Sequence, residues 1–336
     1  MPQSSVPPLK LAIIGCSGMI YDFIYDCTKN CAVELTAICG STQDTRRFSQ
    51  RYRCPQAYHD YREMLRNEKP DLVVAFSSEF PQVDVVRDCL LAGAHVYCER
   101  AVCHSSKEAS EIVKLQQSTG RYVMARLNRR FVHTYVMAKE IVGRSEFGAP
   151  TMYLAKYHAS PYDSEESFIW NHAIHHLDLA RFLLGEYDIT HVDRVFADPQ
   201  RIGYNISFMS RSGCAGVIQT SSLQCGEYPA ERVEITGNGR NVMVENIRTL
   251  HYDRPAPGRQ SPGGMLLRDD GDTLILKQNF AQLNNFTFYG FENSLEYLTE
   301  KIMLGEKPEP NMEDLIRTIE QVETLEKLAT EQKSKK

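Results

Sequence analysis

The stretch that decides the fold is "LKLAIIGCSGMI", residues 9–20. It opens on an apolar, β-branched run, as expected of a strand buried on both faces. Beyond the turn, Ile20, Phe23, Ile24 and Cys27 fall at i, i+3, i+4 and i+7, one apolar stripe of a helix. Strand, tight turn and helix form the setting in which G-x-G-x-x-G marks a dinucleotide site. Here the motif reads Gly15-Cys16-Ser17-Gly18-Met19-Ile20, with Ser17 and Ile20 in the second and third glycine positions. Gly18 keeps the loop compact, and the Ser17 hydroxyl can meet a phosphate. The helix N-terminus behind the loop is a ready anion site. Gly15, Ser17, Gly18, Met19 and Ile20 therefore read as cofactor-binding, against the plainer alternative of an ordinary strand–helix turn.

Outward from this stretch the same rhythm repeats. "VELTAICG" (33–40), "DLVVAFSS" (71–78), "AHVYCE" (94–99) and "RYVMAR" (121–126) read as strands. "DTRRFSQRY" (44–52), "DYREMLRN" (60–67), "FPQVDVVRDCLLAG" (80–93) and "SSKEASEIVKLQQSTG" (105–120) read as helices, the last two closed by Gly93 and Gly120. Alternating β-α units predict a parallel, doubly wound sheet over residues 1–126. After residue 127 the pattern changes. A helix "RRFVHTYVMAKEIVG", a strand "PTMYLAKYHAS" and a helix "NHAIHHLDLARFLLG" (171–185) come first. Between 190 and about 255, apolar and polar residues alternate, which predicts an antiparallel sheet. A Pro/Gly-rich loop "RPAPGRQSPGG" (254–264) and two helices end the chain. Residues 127–336 thus form a second, α/β domain.

The end of the second strand bears on cofactor choice. An acidic residue there would bind the ribose 2′-hydroxyl of NAD. The sequence is instead "CGSTQDTRR": Gly40, Ser41 and Thr42 leave room, and Arg46 or Arg47 can meet a 2′-phosphate. NADP is the expectation, with NAD as the alternative.

Composition excludes several classes. With 38 basic and 43 acidic residues the net charge is −5, so nothing points to a nucleic-acid or anionic-membrane partner. No apolar run nears the ~18 residues of a membrane span. "MPQSSVPPLK" lacks the pattern of a secretory signal. Ten cysteines contain no C-x-x-C pair, and most lie in apolar strand or helix patterns. They read as reduced thiols packed as small hydrophobes in a cytoplasmic protein, with no metal site.

Taken together, "IIGCSGMI", "YHDYREMLRNEKPDLVVAFSS", "LLAGAHVYCERAV", "LNRRF", "HAIHHLDLARFLLG" and "TGNGRNVMVEN" resemble the Gfo/Idh/MocA family of oxidoreductases over essentially the whole chain. The resemblance implies a Rossmann domain followed by an α/β domain with a large open, mostly antiparallel sheet. It implies NAD(P)-dependent chemistry on a sugar, a cyclitol or a related small molecule, and a homodimer or homotetramer formed through the open sheet. The family's usual catalytic set is a lysine in E-K-P and an aspartate and histidine spaced D-x-x-x-H. In this sequence Glu99 matches the glutamate, Arg100 falls at the lysine and Ala101 at the proline. His175 matches the histidine, and Asn171 stands where the aspartate is expected.

The altered residues change what a site can do. A guanidinium stays charged, so Arg100 anchors charge and moves no proton. Asn171 can only orient. His175 is left as the acid/base, since histidine's ordinary pKa of about 6.5 suits proton exchange. Asn171 and His175, at i and i+4, are expected on one helix face, with Asp178 able to orient an imidazole there. His176 is expected to be structural or solvated. Ser77, Ser78, Glu99 and Asn128 are read as cofactor-facing. Tyr97, Arg129, Tyr157, His158, Tyr162, Trp170 and His172 are read as substrate-pocket residues, with Arg130 on the surface. Three functions stay open: hydride transfer to or from a sugar-like carbonyl or hydroxyl; a lyase or epimerase working through transient oxidation; and a binding protein that has lost turnover.

Overall fold

In the computed structural model, described over residues 7–15, 25–76, 80–100, 102–224, 229–255, 273–278 and 285–333 (backbone only at 42, 285, 286, 332 and 333), the stretch 9–14 is a strand, β1 (Leu9–Ile14). It pairs with β2 (Val33–Cys39) on one side and β4 (Leu72–Ala75) on the other. β3 (Gln56–Tyr58), β5 (His95–Cys98) and β6 (Val123–Ala125) complete a six-stranded sheet in the order β3-β2-β1-β4-β5-β6, parallel throughout. β4 and β5 are buried at every residue, which is why they read as unbroken apolar runs. Helices at Thr42–Tyr52, Tyr61–Glu68, Gln82–Leu91 and Ser106–Thr119 connect the strands. Ser41, Asp60 and Ser105 cap three of them, their side chains accepting from Asp44, Arg62 and Glu108 backbone N–H groups. The sequence pattern misses β3. It is three residues long, at the sheet edge and mostly exposed, so no apolar alternation marks it.

The second sheet has eight strands: β7 (Met152–His158), β8 (Tyr187–Asp198), β9 (Arg201–Ser210), β10 (Ala215–Ser221), β11 (Ala230–Gly237), β12 (Arg240–Glu245), β13 (Thr249–Asp253) and β14 (Thr273–Lys277). Their order is β14-β13-β12-β11-β7-β10-β9-β8, antiparallel except for the β7–β10 pair. On β7, Tyr153, Ala155 and Tyr157 are buried and alternate with exposed Met152, Leu154 and Lys156. Met152 lies opposite Ala215, and Ala215 opposite Met209, so one row of the open face runs across three strands. On the closed face, a helical segment winds as α over Glu165–Phe168, as π over Ile169–Ala173 and as α again over Ile174–Leu184. Every residue from Ile174 to Arg181 is buried. The His-rich helix is therefore a core helix.

The chain divides into two units. Met1–Asn128 with Gly290–Glu320 forms the first, and Arg129–Tyr289 with Gln321–Lys336 the second. The first break lies two residues from the boundary drawn after residue 126. The helix Phe291–Leu304, assigned from sequence to the second domain, lies instead with the first unit. The Ser294 hydroxyl meets the Tyr97 hydroxyl at 2.6 Å, and Leu295 and Leu298 are buried. Gln116 donates to Asn311 at 3.0 Å and accepts from Val123 N–H at 3.1 Å. These partners stand nearly two hundred residues apart, beyond what local pattern can show.

Among the described residues no helix is long and apolar enough to cross a membrane. The described cysteines are free thiols, all but Cys31 buried, and burial pushes Cys54 up to about 11 and Cys103 up to about 12.

Candidate active site

Gly15 ends β1 with φ 94, a left-handed conformation that favours glycine, and its N–H donates to the Cys39 carbonyl at 2.8 Å. It sits where the strand order reverses between β1 and β4, the usual ligand crevice of an open α/β sheet. Ser17, Gly18, Met19, Ile20, Ser77 and Ser78 lie outside the described residues, as do Ala101, the stripe residues Phe23 and Ile24, and most of the 254–264 loop. At the end of β2, the Gly40 N–H donates to the Tyr58 carbonyl at 3.2 Å, and the Gly40 carbonyl faces His59 Nδ1 at 3.0 Å. The Ser41 hydroxyl is engaged with Asp44, to which it donates at 2.8 Å. Thr42 is described by its backbone alone. Arg46 is exposed on the following helix.

Beyond β5, the Glu99 carboxylate lies between two guanidiniums. Arg126 donates to it from Nε at 3.1 Å and from Nη2 at 3.0 and 2.8 Å. Arg100 reaches it from Nη1 at 3.2 Å. Glu99 thus takes two guanidiniums. Arg126 escapes the sequence reading, although a cation closing a parallel strand at the sheet's carboxyl end was a usable signal. Tyr97 is completely enclosed with its hydroxyl on Ser294, and Asn128 is almost as deeply buried. Tyr97 is thus a core residue of the first unit, not a pocket wall, because both faces of β5 are covered.

In the second unit, Arg129 and Arg130 follow one another in a 3-10 turn over Asn128–Phe131. Arg129 donates to the buried Glu231 carboxylate from Nε at 3.1 Å and Nη2 at 2.9 Å, and to the Tyr157 hydroxyl at 3.0 Å. Tyr135 adds a hydroxyl donor to Glu231 at 2.6 Å. Burial alone would push the Glu231 carboxyl up. The Arg129 guanidinium and the His176 ring overcome it and hold the group well below the usual carboxylate range. Arg130, expected on the surface, is half-buried and grips Asp178 in a bidentate pair at 2.7 and 2.6 Å. That pair also changes the expectation for Asp178, whose carboxylate holds a guanidinium and orients the helix against the turn.

The aromatic expectations resolve into a stack. The Tyr157 ring lies between His172 (3.7 Å, 4°) and His176 (4.3 Å, 26°). His172 Nε2 donates to the Tyr157 carbonyl at 3.1 Å, which leaves Nδ1 to face the Tyr162 hydroxyl at 3.4 Å. Burial, then the positive neighbours, lower His172 to about 3. His176, expected to be structural or solvated, is fully buried, 3.4 Å from Glu231, and burial lowers it too. Trp170 is buried and donates to Glu326 at 3.1 Å, so it packs in the core rather than lining an open pocket. His158 Nδ1 pairs with the Ser221 hydroxyl at 2.8 Å. Asn171 donates to Ser167 at 3.3 Å from within the π turn, whereas His175 stands on the α winding that follows. The i, i+4 reading assumes α geometry throughout; the structure sets the two residues on different windings, a feature often found at functional sites. Arg100 belongs to the first unit, and His175 and Asn171 to the second.

Residues 9–127 match the family model described as "Oxidoreductase family, NAD-binding Rossmann fold" of the Gfo/Idh/MocA proteins. Over that segment the chain is similar to the Gfo/Idh/MocA proteins. It is 25% identical over 201 residues to the inositol 2-dehydrogenase/D-chiro-inositol 3-dehydrogenase of Lactiplantibacillus plantarum, covering 57% of this chain and 56% of that protein. It is 25% identical over 211 residues to the myo-inositol 2-dehydrogenase of Thermotoga maritima, covering 57% and 62%. The matches thus span little more than half the length of these relatives. A dehydrogenase from Chromobacterium violaceum shares the fold with a TM-score of 0.85 at 15% identity, over 98% of this chain and 97% of its own. An oxidoreductase from Agrobacterium radiobacter, solved with NAD+, L-tartaric acid and magnesium, superposes with a TM-score of 0.81 at 17% identity, over 96% of each chain. The parallel sheet and the position of Gly15 are in keeping with that similarity. Among the described residues no group of three or more His, Cys, Asp or Glu side chains is placed to hold a metal ion.

The buried histidines set a pH dependence of stability. His172 is lowered in the folded chain, so its contribution is complete above its unfolded value near 6.5 and is lost as pH falls from there toward 3. Glu231 is likewise depressed, and its contribution is lost only below about pH 4.5, the ordinary carboxylate range. Unfolding free energy should therefore fall between pH 6.5 and 4.5. His172→Phe keeps the ring stack, and the Tyr157 carbonyl still accepts from Thr220 at 3.0 Å. In that variant the slope should flatten by up to about 1.4 kcal/mol per pH unit in urea denaturation. An unchanged slope would show that folding does not keep His172 neutral.

Proposed function

We propose that this chain is an NAD(P)-dependent oxidoreductase acting between a hydroxyl and a carbonyl of a sugar-like or cyclitol-like substrate. The observation that carries this reading is the six-stranded parallel sheet ending in Gly15 at positive φ, within the residues that match an NAD-binding oxidoreductase domain. The inositol dehydrogenases among its relatives supply the substrate class. The glycine at the switch point and the helix cap at Ser41 fit a dinucleotide, which Gly15, Ser17, Gly18, Met19, Ile20, Gly40, Ser41 and Arg46 would hold, with Glu99 and Asn128 nearer the reacting end. When bound, the nicotinamide supplies or accepts the hydride. The chain's own part is to orient the substrate and handle the hydroxyl proton. His175 is the acid/base, Arg100 a fixed charge beside the developing alkoxide, and Asn171 an orienting donor. NADP is the proposed form, because no acidic residue ends β2 and Arg46 is exposed on the helix that follows.

One observation favours a second reading. Arg100 is bound to Glu99, so a charge that the reaction would use is partly neutralised at rest. In that reading the protein binds dinucleotide and sugar without turnover. We propose further that two copies pair through the open sheet face, where Met152 and Leu154 on β7 and Met209 on β9 expose apolar side chains.

Three outcomes check these assignments. Nicotinamide absorbance should change with a sugar or cyclitol pool, and His175→Ala should lower kcat by about 100-fold or more, Arg100→Ala by about 10- to 100-fold. Dinucleotide binding with no turnover across such pools would favour the second reading. In fluorescence titrations NADPH should bind more tightly than NADH, and Arg46→Ala should weaken NADPH by about tenfold while sparing NADH; tighter NADH binding would overturn the NADP assignment. Sedimentation should give a dimer or tetramer that Leu154→Glu dissociates, and a monomeric parent chain would remove the sheet face as an interface.

A further inference from the structure

β2 and β3 run parallel and end together, with Cys39 opposite Tyr58. One residue beyond its strand, Gly40 meets the β3 side twice. Its N–H donates to the Tyr58 carbonyl at 3.2 Å, and its carbonyl lies 3.0 Å from His59 Nδ1. In an open α/β sheet the crevice outside the strands' carboxyl ends takes the dinucleotide, and a residue at the end of the second strand ordinarily reads the ribose 2′ position. His59 was not singled out from the sequence. It falls in the short connection between β3, an edge strand without a pattern, and the helix Tyr61–Glu68.

The Gly40 contact fixes more than the place of the ring. A carbonyl oxygen only accepts, so Nδ1 is assigned the hydrogen in that bond. In the neutral ring Nε2 is then a bare acceptor, and in the charged ring it is a second donor. Among the described residues no bond uses Nε2, and His59 is exposed. One atom held at the strand ends therefore suits a hydroxyl in one protonation state and a phosphate in the other.

The charged groups on the flanking elements have other engagements or a fixed charge. Asp44, the first acid after β2, accepts the Ser41 hydroxyl at 2.8 Å within the helix cap. Asp60 caps the next helix by accepting from the Arg62 N–H at 2.8 Å, and the Arg62 side chain donates to Asp88 at 2.7 Å. The Tyr58 hydroxyl is turned onto Glu68, and Glu63 is exposed on the helix that follows His59. Arg46 and Arg47 are exposed on the helix Thr42–Tyr52. Guanidiniums and ordinary carboxylates keep their charge between about pH 6 and about pH 8, so the imidazole is the group in this set suited to change there.

We propose that His59 reads the 2′ position of the adenosine ribose and makes the choice of dinucleotide depend on pH. As an imidazolium it donates from Nε2 to the 2′-phosphate of NADP, together with Arg46. As a neutral imidazole it accepts from the 2′-hydroxyl of NAD. A phosphate beside the ring favours its charged form. The preference for NADPH over NADH is therefore greatest at low pH and shrinks as pH rises. The second ionisation of the phosphate itself acts in the opposite direction, because it adds negative charge as pH rises. The two effects thus differ in sign. The inference rests on the dinucleotide reading proposed above, but not on which dinucleotide binds more tightly at neutral pH.

The test is fluorescence titration of the full chain with NADPH and with NADH at about pH 6 and about pH 8, read as the ratio of the two affinities. The advantage of NADPH should fall by about tenfold or more as pH rises, the change that one pKa unit of phosphate-induced shift produces. His59→Asn keeps an amide N–H for the Gly40 carbonyl and cannot titrate, so in that variant the ratio should move by less than about twofold. Calorimetry in buffers of different ionisation enthalpy should show protons taken up with NADPH by the parent chain and none by His59→Asn. A ratio that stays constant or rises with pH, a fall that survives His59→Asn, or the absence of proton uptake would each overturn the proposal. The readings fail separately. If neither dinucleotide binds, the dinucleotide reading falls and this inference falls with it. Binding of both at a pH-independent ratio keeps that reading and removes His59. Tighter NADH at both pH values, with a ratio that still shifts and flattens in His59→Asn, removes the NADP preference and keeps His59.

Discussion

Two adjacent arginines hold the second unit together. Arg129 binds Glu231 on β11, and Arg130 binds Asp178 on the helix Ile174–Leu184, so one 3-10 turn grips a strand and a helix at once. Removing water from four charges is costly, and the return comes only with good geometry and saturated hydrogen bonds. Both pairs are held by close charge-assisted bonds, at 2.9 and 3.1 Å for Arg129 and at 2.6 and 2.7 Å for Arg130. Because the arginines are neighbours in the chain, the spacing of the two buried carboxylates is limited by a single residue step. The position of the helix that carries His175 follows from that limit. Replacing either arginine by an uncharged residue would strand a buried carboxylate, a change that typically costs about 3–5 kcal/mol.

The same economy of charge recurs around the clamp. Tyr157 uses its hydroxyl on Arg129, its ring between His172 and His176, and its carbonyl on His172 and Thr220. Two imidazoles are thereby kept neutral in the core, beside a carboxylate that is kept ionised. In the first unit Glu99 takes two guanidiniums, and one of them occupies the place where the family's lysine would stand. A lysine there could exchange a proton; an arginine cannot, so proton handling shifts to histidine or is absent. The consequence is electrostatic as much as chemical, since a guanidinium keeps its charge where an ammonium could give up a proton.

Much of the fold was legible. β4 and β5 are buried at every residue, as are the ends of β1 (11–14) and β2 (37–39), and burial on both faces leaves an apolar run that needs no partner to be seen. The helix ends at Ser105 and Gly120 were legible for the same local reason, since a cap acts within one turn. β3 was not, because an exposed three-residue edge strand has no pattern to show. In the proposed site, His175, Asn171 and Arg100 come from the family resemblance. Arg126, Glu231 and the burial of Arg130 were missed, because a guanidinium finds its carboxylate across tens of residues. Tyr97 and Trp170 were placed at a pocket on chemistry alone, and burial on all sides puts them in the core.

By itself the sequence determined the α/β class, the parallel sheet and the glycine at the end of β1, and it sets Arg100 and Asn171 where the family it resembles has a lysine and an aspartate. Each is a property of a residue type in a local pattern. Only the tertiary structure decided which charges are spent on one another. It joined Glu231 to Arg129 and Asp178 to Arg130, neutralised the histidines on either side of Tyr157, and set a π turn between Asn171 and His175. Those outcomes depend on desolvation and on partners distant in the chain, and neither is written in the spacing of residues along it.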